Sequence, residues 1–318
     1  MLYFHANNLA ASTVRYSPFL DNRLALGCSA NYGFVGNGRV YVLDISPQGE
    51  LNTVCAVDTK DAVSSVAWSE VAPNQLAIAG GDGIIRLVDS TSGQQLATFH
   101  EHQREVFNLD WNLVSKTQFC SCSWDGTIKL WDMQFPTSIR TIGTPNGQPV
   151  YQAKYAPRND AQILSCHSQG RAQIYDLRVD GIQGSCQAVQ SGGDCLTVDW
   201  NKYDPNLFAT GGADRVVRVW DLRMMASPVN DFSGHQLIVK SVKWSPHSPT
   251  RLMSASYDMT VKVWDLNAPR IPMGGAMGLV GQFVKHTEFV VDCDWSLWGE
   301  PGWAASAGWD GMVYIWKI

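Results

Sequence analysis

The stretch Cys120-Ser-Cys-Ser-Trp-Asp-Gly-Thr-Ile-Lys-Leu-Trp-Asp-Met133 decides the fold, because the rest of the chain repeats it with variations. It contains two runs of alternating small or apolar residues, 120–123 and 127–131, which are joined at Trp124-Asp125-Gly126. At this junction glycine supplies a tight-turn conformation that costs other residues energy. The stretch therefore predicts a β-hairpin whose second strand ends in Trp-Asp.

The hairpin returns at near-constant spacing through the chain. Its seven closing dipeptides are Leu43-Asp44, Val88-Asp89, Trp131-Asp132, Tyr175-Asp176, Trp220-Asp221, Trp264-Asp265 and Trp316-Lys317. Successive copies are 43–45 residues apart, except for a last interval of 52, and a WD-type propeller blade has ~40–45 residues. We expect Ala268 to Gly281, which is rich in Pro, Gly and Met, to form a loop after the sixth blade and to account for the longer interval. The repeat predicts an all-β fold, a seven-bladed WD40 β-propeller.

The two ends of the chain indicate how the propeller closes. Leu2 to His5 is a short apolar stretch ahead of the first full repeat, and the chain stops at Ile318, directly after the last Trp-containing strand. The last blade lacks its outer strand unless the N-terminal segment supplies it, so we expect this segment to complete the blade and leave no sheet edge open. Because the repeat runs from one end to the other, we expect residues 1–318 to form a single propeller domain.

Composition argues against several classes of protein. The chain has no run of 18 apolar residues, and Met1 to Asn8 lacks the basic start and apolar core of a secretion signal, so we expect a cytoplasmic protein without membrane insertion. The formal charge of −5, without a Lys/Arg cluster, argues against nucleic acid as a main partner. Eight cysteines without a Cys-x-x-Cys pair fit reduced, buried thiols better than disulfides or zinc, and Cys120 and Cys122 fit packing better than metal binding. We expect no metal and no other cofactor.

A polar set that suggests catalysis recurs in three blades. Each copy has a histidine before the innermost strand, an aspartate in the hairpin turn and a closing tryptophan: His102, Asp125 and Trp131; His235, Asp258 and Trp264; His286, Asp310 and Trp316. With Ser or Thr in the second strand, each copy resembles the hydrogen-bond network of WD repeats. An enzyme needs one such site with an oxyanion pocket, whereas three copies at the same place in a repeat indicate buried polar groups that satisfy one another. We therefore expect no catalytic residues and no enzymatic activity.

Other motifs allow a chemical interpretation that their context disfavours. The glycine-rich Gly80–Gly83 joins two strands rather than opening a helix, which argues against phosphate binding. The segment His100-Glu101-His102 has no third clustered metal ligand. Blade four is the weakest match, with His167-Ser-Gln-Gly170 at its turn in place of Asp. Three acids each precede a strand Trp and have no partner that the sequence identifies: Asp110, Asp199 and Asp294.

A propeller gathers residues from every blade on one face. The loop before the innermost strand and the turn between the second and third strands open on the same face, which is the usual place for partners. Acids and large aromatics occupy these positions, and the predicted binding residues are Asp61, Glu105, Trp124, Asp194, Tyr257, Glu288 and Trp309, with Leu237 and Phe289 beside them. An amphipathic, basic helix fits such a face, each buried aromatic contributing roughly 2 kcal/mol. The alternative is a set of solvated acids and packing aromatics.

An ordered set of segments goes beyond the generic repeat. They are Tyr16–Phe19 with Arg23–Ala25, Asn31–Gly33 with Gly36–Gly38, Glu101–Trp111, Asp199–Leu207, Val242–His247, Ser254–Asp258 and His286–Phe289. Together they resemble the peroxin-7 family, the WD-repeat receptors for the N-terminal, type 2 peroxisomal targeting signal. The likeness covers essentially all 318 residues.

The resemblance implies a non-enzymatic import receptor that binds an amphipathic targeting helix of cargo proteins, of the type Arg/Lys-Leu-x5-His/Gln-Leu. It also implies a co-receptor that closes over the helix, peroxin-5-like or a dedicated peroxin, together with peroxisomal docking proteins. Such a receptor is cytoplasmic and cycles to the peroxisome or a related organelle such as the glycosome. Glu105 and Trp124 fall within matching motifs and are the first expected contacts. The alternative is a generic WD-repeat scaffold or substrate-recruiting adaptor.

Overall fold

Seven four-stranded antiparallel sheets make up the fold. The computed structural model describes residues 1–179, 186–189, 192–268 and 276–318, with the backbone alone for 186–189. Each sheet is one blade, and the first strand of each blade contacts the first strand of the next around the ring. The seven-bladed β-propeller predicted from the repeat is confirmed.

The strands of the first three blades follow one another along the chain. After β1 (Leu2–His5), blade one contains β2 (Ala10–Tyr16), β3 (Arg23–Ser29), β4 (Gly38–Ile45) and β5 (Leu51–Thr59). Blade two contains β6 (Val63–Trp68), β7 (Gln75–Gly80), β8 (Ile85–Asp89) and β9 (Gln95–Phe99). Blade three contains β10 (Val106–Trp111), β11 (Gln118–Ser123), β12 (Thr127–Asp132) and β13 (Arg140–Gly143).

The remaining blades keep this order. Blade four contains β14 (Val150–Ala156), β15 (Asn159–His167), β16 (Arg171–Asp176) and β17 (Cys186–Val189). Blade five contains β18 (Cys195–Trp200), β19 (Leu207–Gly212), β20 (Val216–Asp221) and β21 (Asn230–Ser233). Blade six contains β22 (Val239–Trp244), β23 (Arg251–Ser256), β24 (Val261–Asp265) and β25 (Leu279–Phe283), and blade seven contains β26 (Val290–Trp295), β27 (Trp303–Gly308) and β28 (Met312–Lys317).

The N-terminal strand closes the ring. β1 pairs antiparallel with β28, with Leu2 opposite Ile315 and His5 opposite Met312. Leu2 and Phe4 pack on the apolar cluster between blades seven and one, so the contact is more than backbone pairing. The predicted completion of the last blade by this segment is confirmed.

The interfaces between blades hold the apolar core. Trp68 at the end of β6 packs with Val40 and Val42 of blade one, and Trp244 at the end of β22 packs with Val217 of blade five. Burial of one such aliphatic side chain contributes roughly 1.5–3 kcal/mol. Because each inner-strand aromatic fills a gap against the preceding blade, the repeat closes only when every neighbour is present.

The acids without an assigned partner also connect neighbouring blades. The carboxylate of Asp110 accepts a hydrogen bond from the backbone N–H of Tyr155 at 2.9 Å, and that of Asp294 accepts one from Tyr16 at 2.9 Å. Asp199 bonds in the same way to Trp244, at 2.8 Å. Each acid therefore holds the end of the next inner strand.

The insertion in the sixth repeat differs from the expectation. It lies within blade six, between Asp265 of β24 and Leu279 of β25, rather than after the blade. The prediction of a loop from Ala268 to Gly281 is therefore wrong at its C-terminal end, because Leu279 to Gly281 belong to β25, in which Leu279 and Gly281 pair with β24. The part of this segment from 269 to 275 lies outside the described residues.

Candidate functional site

A repeated hydrogen bond fixes the face on which the predicted residues lie. In each of six blades the backbone N–H of a residue in the β-hairpin turn donates to a carbonyl in the loop before the inner strand; in blade four Ser168 bonds to Pro149 at 3.3 Å. The pairs that include predicted residues are Trp124 with Glu105, Tyr257 with Ile238, Trp309 with Phe289 and Ala213 with Asp194, at 2.9–3.1 Å; Gly81 bonds to Ala62, next to Asp61, at 2.8 Å. The loops and turns are thereby joined at one end of the blades, which we call the entry face. All seven predicted residues lie on it.

The hairpin turns need a left-handed residue after the aspartate. Gly126 has a φ of +79°, which favours glycine, and a Cβ there would lie within 2.9 Å of the Gly147 backbone, so the lack of space requires glycine at this turn. Arg215 and Met259 occupy the same position in blades five and six with φ of +69° and +66°. The turn therefore projects the residue before the aspartate, such as Trp124, onto the entry face.

Glu105 and Trp124 lie beside one aromatic group. The ring of Trp124 is 38% exposed and lies 5.4 Å from that of Phe107, whose ring is 6.1 Å from Tyr151. The Tyr151 hydroxyl donates to Asp194 at 2.7 Å. This group, Phe107, Trp124 and Tyr151, is the first aromatic cluster.

Tyr257 and Trp309 belong to a second aromatic cluster on the same face. Tyr257 stacks on Phe289 with centroids 4.6 Å apart and planes 5° from parallel, and the Trp309 ring lies 5.2 Å from Phe289 and 5.8 Å from Tyr257. Glu288 is exposed directly beside Phe289. The second aromatic cluster is Tyr257, Phe289 and Trp309, and it is half-buried rather than fully exposed.

The four predicted acids differ in how their carboxylates are used. Asp61 accepts a bond from the N–H of Ala62 at 2.7 Å, and Asp194 accepts bonds from the Tyr151 hydroxyl and from the N–H of Gln169 at 2.9 Å. Glu105 and Glu288 make no side-chain hydrogen bond or ion pair with any residue that the structure describes. Their carboxylates are therefore the two on this face that are open to a ligand.

Sequence reasoning missed several residues of the entry face. Tyr32 and Phe34, in the turn between β3 and β4, lie 5.1 Å and 6.1 Å from the Trp309 ring, and only their contact across the ring reveals them. Lys240 places its ammonium group 5.9 Å from the Phe107 ring centroid. Exposed Lys60 and Arg104 directly precede Asp61 and Glu105, so the face is mixed in charge rather than uniformly acidic. Lys60 and Arg104 could have been identified from the sequence, because each directly precedes a predicted acid.

The three polar networks have the same internal geometry. In blade three, His102 Nδ1 lies 2.8 Å from Asp125 and Nε2 lies 2.7 Å from Ser121 Oγ, which accepts a bond from Trp131 Nε1 at 2.8 Å. The corresponding sets in blades six and seven have His–Asp distances of 2.8 Å and 3.0 Å and share the same serine–tryptophan bond, through Ser254 and Ser306. Because Trp Nε1 can only donate, the serine oxygen accepts the tryptophan bond, and the histidine links that serine at Nε2 to the carboxylate at Nδ1.

The networks keep their aspartates ionised. Burial alone would raise the pKa of Asp125, but hydrogen bonds from His102 and Thr127 outweigh it and hold this pKa below its usual range. Asp258 is shifted in the same direction for the same reasons, with His235 as its main bonding partner. The histidine rings are buried and each serine already serves two partners, so the polar groups of each set satisfy one another's hydrogen bonds.

Blade four replaces this network with a shorter one. His167 is in the second strand, where its Nε2 lies 2.6 Å from Ser165 Oγ. Burial and the nearby Arg171 lower the pKa of His167 to about 4, so the ring is neutral near pH 7. The side-chain amide of Gln148 stabilises the turn at Gln169 by donating a hydrogen bond to Gln169 Oε1 at 2.8 Å.

The interior of the ring contains ion pairs rather than a metal site. Arg15 bonds to Asp292 at 2.5 Å, and Lys154 bonds to Asp110 at 2.6 Å. Among the residues that the structure describes, no group of three or more His, Cys, Asp or Glu side chains is arranged to hold a metal ion, and the seven cysteines whose side chains are described are free thiols. In the same part of the chain, no helix has the length and apolar character needed to cross a bilayer.

Comparison with known proteins adds an independent finding. The WD domain, G-beta repeat family matches residues 93–132, 184–221 and 226–265. Two fungal proteins, each called peroxisomal targeting signal 2 receptor, match all of this chain over 99% of their own length: the Saccharomyces cerevisiae protein is 37% identical and the Komagataella phaffii protein 38%. The Homo sapiens protein of the same name is 34% identical over 146 residues, which is 45% of this chain and 44% of that protein.

Proposed function

Because the chain belongs to the family of peroxisomal targeting signal 2 receptors, we propose that it binds the type 2 targeting signal of cargo proteins on its entry face. The signal helix lies across the two aromatic clusters with its apolar side on the rings. Its basic side chains approach Glu105 and Glu288. The full-length match to receptors favours this function over the alternative of a generic WD-repeat scaffold.

The proposal rests on one property of these two acids, which is that their carboxylates have no partner within the described part of the chain. The carboxylates of Glu105 and Glu288 have no partner among the described residues, yet each residue is next to an aromatic cluster. Unpaired carboxylates next to large rings, half-buried at Glu105 and exposed at Glu288, match a ligand that is apolar on one side and basic on the other. The side chains of the three polar networks and of the ion pairs inside the ring are hydrogen-bonded to one another, which supports a receptor without enzymatic activity.

The proposed receptor acts with further partners. A co-receptor covers the bound signal helix, and docking proteins receive the complex at the peroxisomal membrane. The receptor itself is cytoplasmic and cycles to the organelle, and it needs no cofactor. The single domain proposed for residues 1–318 carries all cargo contacts, with Asp61, Trp124, Tyr257 and Trp309 around the two free acids and Asp194 supporting the blade-four turn beside them.

Charge reversal at Glu105 tests the proposal. Glu105→Lys should weaken binding of a labelled type 2 signal peptide roughly fivefold at low salt, because an exposed ion pair contributes up to about 1 kcal/mol. The loss should shrink at 1 M salt, where the screening length is about 3 Å. The matched control is Glu50→Lys, in the exposed turn between β4 and β5 at the opposite end of the blades. Equal binding of the intact peptide and a peptide with its Arg and Leu replaced would contradict the proposed function.

A further inference from the structure

The turn between β3 and β4, residues 30–37, is the most exposed apolar segment of the entry face. The side chains of Phe34 and Val35 are 78% and 72% exposed, and Tyr32 is 52% exposed. These three residues are nearly consecutive, whereas exposed apolar residues on a protein surface are normally scattered singly. We call this segment the blade-one loop.

The blade-one loop is held in a conformation that costs energy. Asn31 and Tyr32 have φ of +47° and +60°, the left-handed region that costs an ordinary residue roughly 1–2 kcal/mol. Such strain persists only where the surroundings impose it, and it concentrates at functional sites. In this loop the strained backbone accompanies outward-facing side chains at Phe34 and Val35, so the strained conformation exposes apolar surface rather than burying it.

Hydrogen bonds within the loop maintain this shape. The Ala30 N–H donates to the Asn37 carbonyl at 2.9 Å, the Phe34 N–H donates to the Asn31 carbonyl at 3.2 Å, and Asn31 Nδ2 donates to the Val35 carbonyl at 3.0 Å. The Tyr32 ring rests against Trp309 of blade seven. The exposed side chains are therefore presented on a closed loop, which reduces the entropy that a ligand must overcome.

The position of the blade-one loop extends the second aromatic cluster. Tyr32 and Phe34 lie 5.1 Å and 6.1 Å from Trp309, which is itself 5.2 Å from Phe289. These separations are close to the ~5.4 Å rise of one helical turn, so apolar residues one turn apart on a helix can each cover one ring. A Cβ on Gly33 would lie 3.8 Å from that of Ala62, which places the loop next to Asp61.

We propose that the blade-one loop is a preformed wall of the signal site, on which Phe34 and Val35 cover the flank of the bound helix. The occupant is the apolar side of the targeting helix, because the loop continues a cluster of rings that is bordered by Asp61 and by the free Glu288. This inference rests on the proposed function and adds to it a contact on blade one. None of the seven predicted residues lies in this loop.

Two variants separate the loop from the rest of the face. Phe34→Ser with Val35→Ser should lower the affinity for a labelled type 2 signal peptide at least tenfold in fluorescence anisotropy, with an unchanged melting temperature because both side chains are exposed. The control is Leu113→Ser with Val114→Ser, 43% and 47% exposed in the turn between β10 and β11 at the opposite end of the blades. It should bind like the unchanged protein.

Hydrogen exchange tests the same contact without substitution. Saturating peptide should slow amide exchange in residues 30–37 and leave residues 112–117 unchanged. If the unchanged protein binds the signal peptide, but the loop is not protected and the loop variant binds normally, the inference is overturned while the proposed function stands. If the unchanged protein does not distinguish the signal from a peptide with its Arg and Leu replaced, the proposed function itself fails. Retained peptide binding with lost capture of a second receptor component would also overturn the inference, because the loop would then serve that partner.

Discussion

Removal of one serine hydroxyl should destabilise a whole blade. Ser254 is fully buried, and its Oγ lies 2.7 Å from His235 Nε2 and 2.8 Å from Trp264 Nε1. Ser254→Ala leaves both ring nitrogens without their partner, in a place that water cannot reach. A buried polar group without a partner costs about 1–3 kcal/mol, so the loss from both groups should be roughly 2–6 kcal/mol of unfolding free energy.

Blade five supplies the matched control for this experiment. Thr210 Oγ1 accepts a bond from Trp220 Nε1 at 3.0 Å and has no histidine among its described partners. Thr210→Val keeps the shape and removes one bond, so it should cost about 1–3 kcal/mol, close to half the effect of Ser254→Ala. The difference between the two variants therefore isolates the bond to His235.

Urea unfolding followed by tryptophan fluorescence and circular dichroism measures both variants. The urea midpoint should be highest for the unchanged protein, lower for Thr210→Val and lowest for Ser254→Ala. His235→Ala combined with Ser254→Ala should cost less than the sum of the single changes, because both remove the same bond. Equal midpoints for Ser254→Ala and Thr210→Val would refute the two-partner assignment of the serine.

Three further outcomes follow from the same contacts. The pKa of Asp258 is held low in the folded protein, so the ionised carboxylate stabilises the fold above about pH 4, and this stabilisation is lost as the pH falls. Between pH 6 and pH 3 the urea midpoint should therefore decline less for Asp258→Asn than for the unchanged protein. Burial, with Arg15 and Lys154 nearby, lowers the pKa of Lys243 to about 8 in the folded protein. Between about pH 8 and 10 the unfolded chain therefore binds more protons than the folded protein, and the free energy of unfolding should rise with pH. Lys243→Met should remove this rise in the urea midpoint. Deletion of residues 1–5 should expose the edge of β28 and cause association that light scattering detects, whereas Tyr3→Ser, on the exposed side of β1, should not.

The repeat made the fold predictable because its signals are local. A hairpin turn and a closing Trp-Asp can be read within 14 residues, such as 120–133, and their recurrence determines the number of blades. The closure by β1 followed from counting strands at the two ends. The insertion in blade six was placed wrongly because Leu279–Phe283 follows a segment rich in Gly and Met, which hid the start of a strand.

The candidate site was less predictable because its contacts cross between blades. Asp110 bonds to the backbone of Tyr155, 45 positions later, and no feature of either residue alone identifies the pair. Tyr32 and Phe34 reach Trp309 across the closure of the ring, at a sequence separation of more than 270 residues. The positions of loops on a face follow from the repeat, but which side chains meet there depends on the three-dimensional closure.

Asp194 shows why position on the entry face does not by itself establish a binding role. Blade four has Gln169 where other turns have aspartate, and Asp194 from the next loop accepts the bond of the Gln169 N–H and that of the Tyr151 hydroxyl. In blade three, Asp125 of the turn accepts the N–H of Gln103 in a comparable way. Asp194 of the neighbouring blade thus supplies the carboxylate that the blade-four turn does not have. We therefore expect Asp194→Ala to lower stability and signal binding together, whereas Glu105→Lys should lower signal binding alone, and parallel melting and peptide-binding measurements on the two variants would distinguish the supporting acid from the contacting one.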